Sequence, residues 1–297
     1  MLTLRSLLLP LLVAVALPTL ADEAEIRKNL AQRLPEFPKI DEVTKTPVQN
    51  QQTIDTANGR VAYVTFNDHI CPAEGQLVAA FNQIRQQTNV SDLVLDLRYN
   101  GGGFLYIASQ VGYMIAGDAR TSGRTFERLQ FNDKRVAETN DPNNNTPFFG
   151  TTSGFAGSGT TANTPLPQLN LSRVFVLAGP GTCSASESIV NALRGIDVQV
   201  VLIGDTTCGK PYGFTAKDNC GISYFPIEFQ GVNDRGFGDY ADGFVPTCRV
   251  ADDFSRALGD PAEGMLAAAL SYRTTGACPT GTGRESPQSR GFTVERV

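Results

Sequence analysis

From residue 59 onward the chain alternates short apolar runs with stretches of helical periodicity, and this rhythm limits the fold more than any other feature. Residues 61–66, 93–97, 174–178 and 198–203 are apolar runs of strand length. Between them, Leu77, Ala80, Phe81 and Ile84 fall at i, i+3, i+4 and i+7, which predicts a helix over 73–87. Further helices are predicted over 104–116, 184–194 and 261–272, and residues 222–229 alternate as another strand. Strands separated by helices require crossover connections, so a largely parallel sheet covered on its faces is expected. Residues 118–168 break the rhythm. They are rich in Asn, Thr, Gly and Ser and predict a long functional or disordered loop.

The N-terminal residues read differently. Residues 1–5 carry one positive charge, 6–17 are apolar, and small residues stand at the −3 and −1 positions before Asp22. This is the pattern of a cleaved secretory signal over 1–21, so a periplasmic or secreted location is expected, with no membrane span after cleavage. Residues 22–58 form a separate N-terminal segment, in which Ile26, Leu30 and Leu34 share a helical spacing up to Pro35. A domain over 59–280 and a polar tail over 281–297 complete the expected organisation.

Composition excludes several classes. With 297 residues, 41% hydrophobic and 19% charged, the chain is neither fibrous nor wholly disordered. A net charge of −5 offers no basic face for nucleic acid. The one histidine, His69, rules out a zinc site built on two histidines; following a strand and preceding Cys71 and Pro72, it reads as a structural or rim residue. The six cysteines contain no C-x-x-C pair, and in an oxidising compartment they favour disulfides. Nearness in sequence suggests Cys208 with Cys220 and Cys248 with Cys278, which leaves Cys71 with Cys183; free, buried thiols behaving as small hydrophobes are the alternative.

Three turns carry the candidate chemistry. Residues 96–103, DLRYNGGG, run from a strand end into a helix start, where bare backbone N–H groups can hold an oxyanion. Residues 181–187, GTCSASE, place Ser184 at a helix N-terminus with Glu187 three residues on, which reads as a capping box, as an exposed serine nucleophile, or as both. Residues 204–210 match the start of a phosphate-binding loop, but Pro211 replaces the hydroxyl residue that such a loop needs for magnesium. A lysine held in that turn near a serine suits a general base better, since desolvation favours its neutral form.

The motifs LVLDLRYNGGG, LNLSRVFVLAGPGTCSASES, VVLIGDTTCGKPYGF and YADGFVPTC, with LGDPAEGMLAAAL, together resemble the S41 serine peptidases, the C-terminal-processing or tail-specific proteases. The resemblance implies an α/β fold with a ClpP/crotonase-like core, a mostly parallel sheet and crossover helices. It implies endoproteolysis of polypeptides through an acyl-enzyme, with Ser184 as nucleophile and Lys210 as base. It places the oxyanion donors on Ala185 and on Gly102 or Gly103, with Ser186 and Glu187 supporting, and implies no metal or organic cofactor. The glutamine that many members carry four residues after the lysine is Phe214 here, so Glu187 is a candidate replacement, and no segment is patterned as a PDZ domain. Residues 22–48 resemble the dimerisation segment of DsbC-type disulfide isomerases, which would allow a homodimer, but the C-x-x-C domain of that family is absent. A catalytically inactive peptide-binding or assembly module of the same fold is the alternative.

Overall fold

The computed structural model describes residues 46–280; the expected signal sequence, most of the N-terminal segment and the tail lie outside the described residues. The core is a six-stranded sheet in the order β1-β2-β3-β6-β7-β12. Its members are β1 (Val48–Thr56), β2 (Gly59–Phe66), β3 (Val90–Asp96), β6 (Arg173–Ala178), β7 (Gln199–Gly204) and β12 (Cys248–Arg249). Only β1 runs antiparallel to its neighbour; β2 through β12 are parallel. The α/β expectation therefore holds, and a strand precedes the expected boundary at residue 59.

The apolar runs follow from burial on both faces, as parallel strands require. Ala62, Val64, Leu93, Leu95, Val174 and Val176 face one side, against α1 (Ala73–Gln86), α2 (Leu105–Ala116) and α3 (Ala185–Gly195). Val61, Tyr63, Val94, Phe175 and Leu177 face the other, against α4 (Gly264–Thr275). The crossovers β2-α1-β3 and β6-α3-β7 thus lie on one face. Every loop leaving the carboxyl end of β2, β3, β6 or β7 consequently emerges at one edge of the sheet, where open α/β sheets bind ligands.

Residues 118–168 are not the loop that their composition predicts. They contain β4 (Thr125–Phe131) and β5 (Asn145–Pro147), which join β8 (Tyr212–Phe214) and β11 (Ile227–Val232) in a second, antiparallel sheet ordered β5-β4-β11-β8. Phe126, Phe148 and Leu166 from this segment cover α2, which explains why that helix is apolar all round. The carboxylate of Glu74 on α1 pins the rest, accepting from Gln110 Nε2 at 2.7 Å, Gly154 N–H at 3.0 Å, the N–H of Ser153 and the hydroxyl of Thr160. The single strand expected over 222–229 is two: β10 (Ile222–Tyr224), which pairs with β9 (Lys217–Asn219), and β11.

A buried ion cluster fastens α4 to the edge that carries the first glycine-rich turn. Arg98 pairs through both terminal nitrogens with Glu263, at 2.8 and 3.0 Å, and also with Asp96 at 3.0 Å and Asp252 at 2.7 Å. Glu263 in turn caps α4, accepting from the N–H of Met265 and Leu266. Removing the cation would leave Asp96 and Glu263 charged, buried and unpaired. Arg98→Met is expected to lose about 3–5 kcal/mol of stability in urea denaturation.

Candidate active site

The site is assembled from four loops at the carboxyl edge. Ser184 ends the loop after β6 and starts α3 with φ +54° and ψ −118°. A non-glycine residue at positive φ stores strain, and such strain gathers at functional sites. Gly102, at φ +100°, packs directly against it: a Cβ there would lie 2.8 Å from Ser184 Cβ and 3.0 Å from Ala185 N. Gly103 makes the same close approach to His69, with a built Cβ 2.6 Å from the His69 carbonyl. Glycines at both positions let the β3 loop slide between the β2 loop and the β6 loop.

Glu187 joins the second and third turns. Its buried carboxylate accepts from Ser184 N–H at 3.0 Å, Gly209 N–H at 2.8 Å, Lys210 N–H at 2.8 Å and the Thr207 hydroxyl at 2.5 Å. The carboxylate half of the expected capping box is thereby formed. Glu187 meets the backbone of Lys210, however, and not its amine. The Lys210 ammonium lies instead over the ring of Phe214, 4.9 Å from its centroid, and makes no hydrogen bond to Ser184 among the described residues. Phe214, which stands where the family glutamine was expected, thus holds the lysine by its π face.

A cavity of about 530 Å³ is lined by Ser184, Ala185, Lys210, His69, Gly103, Glu127 and Ser188, with apolar walls from Leu105, Phe225 and Phe229. A shallower depression of about 620 Å³ between the start of α1 and residues 157–160 presents no ionisable side chain. Ser186 does not reach the cavity; its buried hydroxyl donates to the Asn100 carbonyl at 3.0 Å. Of the two candidate oxyanion glycines, Gly102 has already donated its N–H to Asn100 Oδ1 at 3.0 Å. The N–H groups of Gly103 and Ala185 donate to no group among the described residues.

His69, expected as a structural or rim residue, is buried and hydrogen-bonded, and it also lines the cavity that holds Ser184. It is fully buried, and burial pushes its pKa down to about 4 despite the hydrogen bond it donates to Asn100, so the ring is neutral. Asn100 Nδ2 donates to the Phe66 carbonyl, which fixes Oδ1 as the acceptor for His69 Nδ1 at 2.9 Å. Nδ1 therefore carries the proton, and Nε2 keeps a lone pair with no partner. The signal was present in the sequence as a histidine just beyond a strand end. Its meaning depended on β2 lying next to β3, which no local pattern states.

Two of the expected disulfides are corrected. Cys183 bridges Cys208, with Cα atoms 5.3 Å apart, and Cys248 bridges Cys278 as expected. Cys71 and Cys220 are free. The N–H of Cys208 donates to the Thr182 carbonyl, which sets the two turns side by side, whereas Cys220 is exposed at the tip of the β9–β10 hairpin. Nearness in sequence does not fix the direction in which a hairpin points.

The family model of peptidase family S41 matches residues 60–217, more than half of the chain. The chain belongs to peptidase family S41. A second model, the N-terminal domain of disulfide bond isomerase proteins, matches residues 18–69, and the described part of that match is β1, β2 and the turn to His69 within the peptidase sheet. Among solved structures, a candidate S41 protease from Bacteroides fragilis is 28% identical with a TM-score of 0.65, over 78% of this chain and 58% of that one. The chain thus spans less than two thirds of that relative. A lipoprotein from Streptococcus agalactiae shares the fold at 10% identity and a TM-score of 0.50, over 85% of this chain and 88% of that one. The photosystem II D1 C-terminal processing protease aligns at 20% identity with a TM-score of 0.47, over 69% of this chain and 48% of that one. No curated protein matches.

Two stability measurements follow from this geometry. The Cys183–Cys208 bridge closes a loop of 25 residues, so Cys183→Ser with Cys208→Ser is expected to lose about 3 kcal/mol in guanidinium denaturation. His69 titrates near 4 in the fold against about 6.5 unfolded, so the unfolded chain binds the extra proton between those values. Its contribution is present above about pH 6.5 and is lost as pH falls through 4. The stability difference between the native protein and His69→Gln should therefore shift against the native protein by about 3 kcal/mol across that window.

Proposed function

We propose that this protein is an exported serine endopeptidase that cleaves polypeptides through an acyl-enzyme on Ser184. The observation that carries the reading is the strained Ser184, set at the head of α3 on a cavity that also holds two candidate bases. Attack by the Ser184 oxygen on a peptide carbonyl would form a tetrahedral oxyanion. The free N–H groups of Ala185 and Gly103 are the donors proposed for it, at the positive end of the α3 dipole. Water then releases the acyl group.

In the Ser/Lys dyad reading, Lys210 takes the Ser184 proton. This requires its flexible stem to leave Phe214 and its ammonium to shed a proton. A specific observation favours a second reading, in which His69 is the base. Its ring is neutral, oriented by Asn100, and presents an unpartnered lone pair beside the cavity. Microscopically the two differ only in the proton acceptor; the nucleophile and the oxyanion donors are common to both.

The test is fluorophosphonate labelling and hydrolysis of an uncharged peptide substrate by the full chain. Ser184→Ala should abolish both, with a loss of ~10⁴-fold or more in rate, while Ser186→Ala keeps a substantial part. No labelling of the native protein would point to the inactive peptide-binding alternative. With Lys210 as base, activity rises with pH toward the alkaline side and Lys210→Arg is as inactive as Lys210→Ala. With His69 as base, activity is level from about pH 6 to 9, Lys210→Arg keeps activity and His69→Gln loses it.

A further inference from the structure

Glu127 is unexplained by the chemistry above. It stands on β4 with 4% of its surface exposed, yet it lines the cavity that holds Ser184. Its Oε2 accepts from the Ser188 hydroxyl at 2.7 Å, and Ser188 lies one helical turn beyond Ser184 on α3, about 6 Å along the axis. No cation pairs with it among the described residues, and Lys210 is held on Phe214 instead. Room for the carboxyl is made by Gly231, where a Cβ would come within 2.3 Å of the carboxyl carbon. Burial raises the Glu127 pKa to about 7 in spite of the Ser188 hydrogen bond. An unpaired buried carboxyl is costly to keep, and the fold makes no internal use of its charge.

We propose that Glu127 is the floor of the pocket for the substrate side chain beside the scissile bond, and that it selects lysine or arginine there. This rests on the Ser184 peptidase reading and deepens it. The apolar walls of Leu105, Phe225 and Phe229 suit the methylene stem of such a side chain, while its charged head reaches the carboxylate. A cation delivered to that site recovers the interaction that the empty pocket lacks, and an aliphatic side chain does not. Discrimination of about tenfold or more is expected for a charge pair removed from water.

The groups that face Glu127 are the Ser188 hydroxyl and the Tyr240 phenol, whose pKa burial and then the Glu127 charge push up. His69 and Lys210 lie on the same cavity, and His69 is neutral above about pH 4. Between pH 5 and 8 the carboxyl of Glu127 is therefore the pocket's titrating floor. Preference for a cation should weaken as pH falls from 8 to 5.

The probes are two peptide aldehydes alike except for the residue bearing the aldehyde, acetyl-Leu-Leu-argininal and acetyl-Leu-Leu-norleucinal, competing with fluorophosphonate labelling of the full chain. The argininal should protect Ser184 at a concentration about tenfold or more below that of the norleucinal. Glu127→Gln should erase the difference, and lowering the pH should shrink it in the unmodified protein, which keeps the test decisive even where that variant does not fold. Equal protection by the two aldehydes, with labelling intact, overturns the proposal and leaves the peptidase reading standing. Should no labelling occur, the peptidase reading fails, and fluorescence titration with 4-aminobenzamidine reads the pocket directly. Saturable binding lost in Glu127→Gln supports a cation pocket, and its absence overturns one.

Discussion

A single buried carboxylate holds this site together. Glu187 gathers donors from the start of α3 and from the turn after β7, two segments that meet nowhere else through so many polar contacts. A carboxylate withdrawn from water is stable only where donors replace its solvent, and hydrogen bonds to a charged acceptor are among the stronger ones in proteins. Three of the donors are backbone N–H groups that a helix start and a tight turn cannot satisfy internally, and the fourth is the Thr207 hydroxyl. The same bonds therefore stabilise Glu187, cap α3 and set Ser184 and Lys210 on one cavity. The Cys183–Cys208 bridge runs parallel to this clasp and ties the same two turns covalently.

Asn100 does comparable work for the third and fourth loops. Its side chain accepts from Gly102 N–H and His69 Nδ1 and donates to the Phe66 carbonyl, while its own carbonyl accepts from Cys183 N–H and the Ser186 hydroxyl. One residue thus orients the imidazole, consumes the Gly102 N–H and anchors the loop that precedes Ser184. Its neighbour Arg98 locks the same turn to α4 from below. The glycine-rich turn is rigid because the residues before it are held at both ends. Its glycines are needed for close approach, not for flexibility.

The segment over 118–168 divides the labour differently. Its polar composition conceals a sheet that closes over α2, with Glu74 supplying the acceptor for several of its backbone and side-chain donors. β4, within this insertion, carries Glu127 into the cavity, and β8 and β11 bring Phe214 and Phe229 to its rim. The parallel core thereby supplies Ser184, His69 and the free N–H groups, and the second sheet shapes what can be placed beside them.

What the sequence determined was local. The apolar runs and the helical spacings located β2, β3, β6, β7 and the four helices of the core to within a few residues, but neither edge strand of the sheet, because burial on both faces imposes a pattern that a chain must write out residue by residue. The turns at Gly101–Gly103, Ser184–Glu187 and Gly209–Lys210 were legible for the same reason, since backbone geometry and capping are settled within a few positions. Strand β1, the sheet inside 118–168, the Cys183–Cys208 bridge and the place of His69 were decided by the tertiary structure alone. Each depends on which strand lies beside which. His69 reaches the cavity because β2 pairs with β3, and Cys208 meets Cys183 because β6 pairs with β7 and Glu187 draws their loops together. Such partners are set by packing energies summed over the whole core, and no spacing along the chain records them.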